Sequence, residues 1–80
     1  MIAVLNALIL GPLGHNELAR ETNMDSKQLS RTLVRARDTG IVDRIVSGEI
    51  PPVRVHYELT PRGEDLARAI IPLALWSKNS

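Results

Sequence analysis

Apolar and polar positions follow several distinct rhythms along this chain. Residues 1–10, MIAVLNALIL, are apolar except for Asn6, as expected of a helix buried on most sides. Gly11-Pro12-Leu13-Gly14 stops it, because Gly and Pro punctuate helical patterns. A second short helix over NELARET follows, opened by Asn16 or His15. Asn is a favoured first cap, since its side-chain oxygen accepts an orphan backbone N–H. Leu18 and Ala19 supply its inward contacts, and Asn23-Met24 is a turn. Asp25 or Ser26 then caps a third helix that runs to about Thr39, with Gly40 as its C-terminal stop. Leu29, Leu33 and Ala36 keep the helical beat inside it.

Beyond Gly40 the rhythm changes. Ile41-Val42 and Ile45-Val46 give a β-rich run, and Ser47 to Pro52 is a loop because it holds Gly48, Pro51 and Pro52. Residues 54–59, RVHYEL, alternate polar and apolar, the period of a half-buried strand. Tyr57 points inward on that alternation and belongs to the core. Thr60-Pro61 starts a last helix, with Thr as cap and Pro at the first helical position. Glu64 and Asp65 suit its positive end. It runs to around Trp76, with a kink at Pro72. The order helix, helix, turn, helix, strand, loop, strand, helix predicts a mostly helical α+β fold, a winged helix-turn-helix, with residues 1–80 as one domain.

The third helix carries the strongest chemical signal. Lys27, Arg31, Arg35 and Arg37 lie on it with no acid before Asp38. At 3.6 residues per turn, Lys27, Gln28, Arg31 and Arg35 fall within about a quadrant, opposite the apolar stripe. That is the layout of a recognition helix, whose N-terminal side chains meet base edges in a major groove. Arg and Lys pair with guanine and Gln with adenine. Lys27, Gln28 and Arg31 are therefore assigned to bases, Arg35 to phosphate, and Ser26 and Ser30 to phosphates or bases. The plain reading is a solvated charged face. The helix-turn-helix frame before it and the cations Arg44 and Arg54 in the hairpin after it weigh against that reading. Arg54 is the expected wing contact, with His56 on the same outward face and Arg44 on the same face of the sheet. Glu49 in the loop opposes a phosphate contact. Val34 lies beside the cationic quadrant, where an apolar residue fits poorly.

Composition bounds the rest. Eighty residues make one domain, and a chain of this size buries only about 60% of its unfolded surface. These residues include no cysteine, so neither a disulfide nor a thiolate metal site supports the core. His15 and His56 are far apart in sequence, and no metal site is expected. A partner chain is the remaining aid. No run reaches the ~20 apolar residues of a membrane span, and residues 1–10 lack the charged start and small-residue cleavage site of a signal peptide. A cytoplasmic protein with no membrane partner is expected. The net charge of +1 points to no partner by itself; only the placement of the charges does.

The segments GPLGHNELARET, SKQLSRTLVRARDTGIVDR and IPPVRVHYELTPRGEDLARAI, followed by a late Trp, resemble the HxlR-type winged-helix transcriptional regulators and, more distantly, MarR-like regulators. The likeness covers nearly the whole chain, and RVHYELTPRGEDL is its most specific part. It implies a homodimeric DNA-binding repressor or activator, each recognition helix entering one half of a palindromic operator. Carried over by position, Ser26, Lys27, Gln28, Ser30 and Arg31 fall in the recognition helix, about residues 25–39, and Arg54 in the wing, about 47–54. The chain departs from the family pattern in places. His15 replaces the family's phenylalanine, Val53 is an extra wing residue, and Ala36 is a small third apolar position. The family's segment before the first helix, often cysteine-bearing, has no counterpart here, so thiol sensing is not carried over.

A dimer is also expected without the family. Residues 1–10 and 69–76 (AIIPLALW) are both apolar nearly all round, and large exposed apolar patches mark interfaces. Twofold packing of the terminal helices would cover Ile2, Leu5, Ile9, Ile70, Leu73 and Trp76, with Trp76 as an anchor unless it caps this chain's own core. A small apolar effector would sit at such an interface, though no residue pattern identifies one. The competing reading is a winged-helix protein-interaction module whose helix docks an acidic surface. No cofactor motif and no catalytic constellation is present, so an enzyme is not expected.

Overall fold

The helical stretches of the sequence fold around one buried cluster in the computed structural model. It describes residues 1–79, leaving aside the side chains of Ala74, Lys78 and Asn79. The elements run α1 Ile2–Leu8, α2 His15–Thr22, α3 Ser26–Asp38, β1 Val42–Ser47, β2 Arg54–Leu59 and α4 Pro61–Asn79. Val4, Leu5 and Leu8 of α1, Leu18 of α2, and Leu29, Leu33 and Ala36 of α3 meet Ile41, Val42, Leu59 and Ala67 in that core. The α1 helix is shorter and less buried than its composition suggests. It ends at Leu8, and Ile2, Ile9 and Leu10 are exposed, so it is buried on one side only. Leu5, expected at a subunit interface, is fully buried in this chain's own core. It has no surface left to offer a partner.

The start of α2 also differs. Its cap is Gly14, not His15 or Asn16. Glu17 reaches back as in the second half of a capping box, its carboxylate accepting the Gly14 N–H at 3.2 Å. Asn23 closes the helix in the left-handed region at φ 56, which Asn tolerates better than most residues. Asp25 then caps α3, accepting the Gln28 N–H at 2.8 Å. At its other end, Ile41 N–H donates to Ala36 C=O and Gly40 N–H to Arg37 C=O, both at 3.0 Å. This is a Schellman stop, and it needs the left-handed Gly40 at φ +77.

The hairpin pairs Val42 with Leu59, Arg44 with Tyr57, Ile45 with His56 and Ser47 with Arg54. Leu13 adds a bridge on the far edge of β2. Its N–H donates to Tyr57 C=O at 3.1 Å and its C=O accepts the Tyr57 N–H at 2.8 Å. Opposed residues share a sheet face. Arg44 therefore lies on the face of Val42 and Tyr57, opposite to Arg54 and His56, which corrects the expectation that the two arginines share a face. Tyr57 is half-buried against the core.

Thr60 fastens α4 to this frame. Its hydroxyl donates to Gly40 C=O at 2.6 Å and accepts the Gly63 N–H at 3.0 Å. Gly63 lies so close to Ile41 that a Cβ there would run into the Ile41 carbonyl. Pro61 opens the helix as expected, and α4 continues past Trp76 to Asn79 with Pro72 inside it. Trp76 is 68% exposed, with Leu73 and Leu75 also outside the core. It does not cap this chain's own core.

Candidate nucleic-acid interface

The α3 helix is held by its inner stripe and by its neighbours, which leaves its outer side free. Leu29, Leu33 and Ala36 are buried, while Ser26, Lys27, Gln28, Ser30, Arg31 and Arg35 are all exposed. Ser26, Lys27, Gln28, Arg31 and Arg35 line one shallow depression together with Asp25 and Thr32. The hydroxyl of Thr32 is tied back to Gln28 C=O at 2.9 Å, so the free polar groups there are the cations, Gln28 and Ser26. Among the described residues, the single ion pair joins Arg68 to Glu64 on α4 at 3.9 Å. Among the described residues, no carboxylate lies within ion-pair distance of Lys27, Arg31 or Arg35. The depression thus carries three cations against the one carboxylate of Asp25, a net positive surface suited to a polyanion.

Ser30 stands apart from that group. It faces α2, where its Oγ lies 3.3 Å from His15 Nε2, and it flanks a second shallow surface with Arg31, Val34 and Arg35. His15 thus fastens the first helix of the pair to the second. This gives a role to the histidine that replaces the family's phenylalanine.

Arg54 is not at the wing tip. It opens β2 and lies beside the start of α2, in a recess shared with Gly14, His15, Glu17, Arg20 and His56. The tip itself carries Glu49, an 81% exposed Ile50, the two prolines and an exposed Val53. Arg20 is a basic neighbour of Arg54 that the sequence pattern did not single out. Its spacing relates it only to α2, and the fold of the hairpin brings Arg54 to it. Val34 is the other residue the pattern left unplaced, and it is more than half exposed on the cationic side of α3. Among the described residues, no helix is long and apolar enough to cross a membrane.

Two helices joined by a tight turn, an exposed cationic second helix, and a hairpin behind it define a winged helix-turn-helix domain. The chain belongs to the HxlR-like helix-turn-helix family, whose model matches residues 1–80. It is 34% identical over 76 residues to an uncharacterized HTH-type transcriptional regulator of Methanothermobacter thermautotrophicus, covering 94% of this chain and 57% of the relative. The match to the HTH-type regulator YtfH of Escherichia coli is 32% over 76 residues, 94% of this chain and 60% of that one. The chain thus spans less than two thirds of the length of these curated relatives. Among solved structures, an HTH-type transcriptional regulator, ytcD, superposes with a TM-score of 0.84 at 30% identity, covering 98% of this chain and 80% of that one.

Proposed function

We propose that this chain is the DNA-binding part of a transcriptional regulator that reads duplex sequence through α3. The observation that carries the proposal is the set of exposed, unpaired cations Lys27, Arg31 and Arg35 beside Gln28 on one side of that helix. Membership of the HxlR-like family supports it. In this reading Lys27, Gln28 and Arg31, nearest the N-terminal end, meet base edges in the major groove. Arg35 meets phosphate, Ser26 and Ser30 meet phosphates or bases, and Arg54, with Arg20 beside it, meets the flanking backbone. The wing contributes through its root, since its tip holds an acid and apolar residues.

The functional unit in this reading is a homodimer on a palindromic operator. Ile2, Ile9, Leu73 and Trp76 are exposed apolar residues on α1 or next to it and on α4, and these two helices pack against each other. Covering them with a second copy removes the patch and sets two α3 helices about one DNA turn, ~34 Å, apart. Ile70 is half-buried and borders the same patch. Whether such a dimer represses or activates depends on where the operator lies relative to a promoter.

Titration of a labelled mixed-sequence duplex from roughly 50 to 200 mM salt tests the cationic face. The wild type is expected to lose affinity steeply, with a log–log slope near −0.9 per phosphate neutralised. A Lys27→Ala, Arg31→Ala, Arg35→Ala variant is expected to bind far more weakly and with a flatter slope. Equal binding by the two proteins would contradict the assignment. The competing protein-interaction reading requires that duplexes of different sequence bind alike.

A further inference from the structure

Val34 is 54% exposed in the middle of a helix whose core stripe is complete without it. It shares one shallow surface with Ser30, Arg31 and Arg35 and a second with Arg37, Asp38, Val42, Asp43 and Arg44. A branched apolar side chain thus stands exposed among charged residues, with Arg31 and Arg35 beside it on the side of α3 assigned to DNA. β-branching lowers helix propensity relative to Ala, so neither the helix nor the core accounts for valine at this position.

The major groove offers one apolar feature among its hydrogen-bonding edges, the C5-methyl group of thymine. The surrounding arginines suit phosphates and guanine edges but leave that methyl unread. We propose that Val34 reads a thymine methyl, making it a specificity-determining residue of the operator half-site; this rests on the proposed reading of α3 as a recognition helix. Val34 lies three residues beyond Arg31, about 4.5 Å along the axis. Base pairs are stacked about 3.4 Å apart. The thymine is therefore placed one or two base pairs from the base that Arg31 contacts.

The test starts from an operator selected from a random duplex pool by the wild-type chain. Each thymine of the half-site is then replaced in turn by deoxyuridine, in both halves at once, which removes only the methyl group. At one position the wild type is expected to lose about fourfold in affinity per half-site, the worth of one buried methyl group. Val34→Ala should bind the thymine and deoxyuridine operators equally. Alanine is the better helix former and the site is exposed, so this variant retains its fold, which circular dichroism verifies. Val34→Thr, which keeps one methyl at the same branch, should recover part of the thymine preference. If an operator is selected but no deoxyuridine position weakens the wild type, or the loss persists in Val34→Ala, this inference fails alone. If no operator is selected, it fails together with the proposed function.

Discussion

Arg31 and Arg35 are the same residue type one turn apart on the same side of α3, both exposed and neither paired with an acid. They are assigned different work because the N-terminal end of a recognition helix goes deepest into the groove. Arg31→Ala is expected to relax selectivity at one base pair, costing about 1–3 kcal/mol on the preferred sequence and little on others. Arg35→Ala is expected to weaken binding to all sequences alike and to lower the salt slope by about one phosphate contact. Binding isotherms for each variant on matched and mismatched duplexes separate the two outcomes. If Arg31→Ala binds every duplex as the wild type does, the base assignment is wrong. The shared exposed face of Lys27, Gln28, Arg31 and Arg35 was legible in the sequence because a helix fixes which side chains lie together over a few residues. The positions of Arg44 and Arg54 were not. Arg44 depends on the register of β1 against β2, and Arg54 on how the hairpin folds back toward α2. Both are tertiary facts that a two-residue alternation leaves undetermined.

At the scale of elements, local chemistry foretold most boundaries and long-range pairing set the rest. Asp25, Gly40 and Thr60-Pro61 act as the sequence suggests, because caps and stops act over three or four residues. The bridge from Leu13 to Tyr57 was hidden. One apolar residue between Pro12 and Gly14 has no period to detect. The Gly14 cap was hidden for a related reason, since its acceptor is the side chain of Glu17, three residues on. The join of α4 to the frame offers a sharp check. Gly63→Ala would push a methyl group against the Ile41 carbonyl and is expected to cost about 1–3 kcal/mol of stability, as overpacking does. Thr60→Val removes a hydroxyl that bonds both Gly40 and Gly63 and is expected to cost about 1–2 kcal/mol. Urea unfolding measures both. A Gly63→Ala chain as stable as the wild type would mean that α4 sits further from Ile41 than described.

The whole molecule measures 50 × 26 × 21 Å, and its elongation goes with a 19-residue α4 that extends beyond the core. Leu73 and Trp76 near the end of that helix are exposed, and the proposed dimer would cover them. Leu73→Asp is expected to turn a dimer into a monomer by sedimentation velocity and to weaken operator binding, because each half-site then binds alone. A Leu73→Asp protein that still sediments as a dimer would overturn this interface. The fold class was legible at this scale, since the order of elements and the RVHYELTPRGEDL segment both point to a winged helix. Which apolar residues remain free for a proposed interface was legible only in part. Apolar composition marked Leu5 and Trp76 alike, but only the packed core shows that Leu5 faces inward and Trp76 outward.

Selection of binding sites from a random duplex pool at near-physiological salt tests the central claim most directly. The account predicts enrichment of an inverted repeat whose half-sites lie one helical turn apart, read by two α3 helices of a dimer. A folded, dimeric protein that enriches no sequence would contradict it.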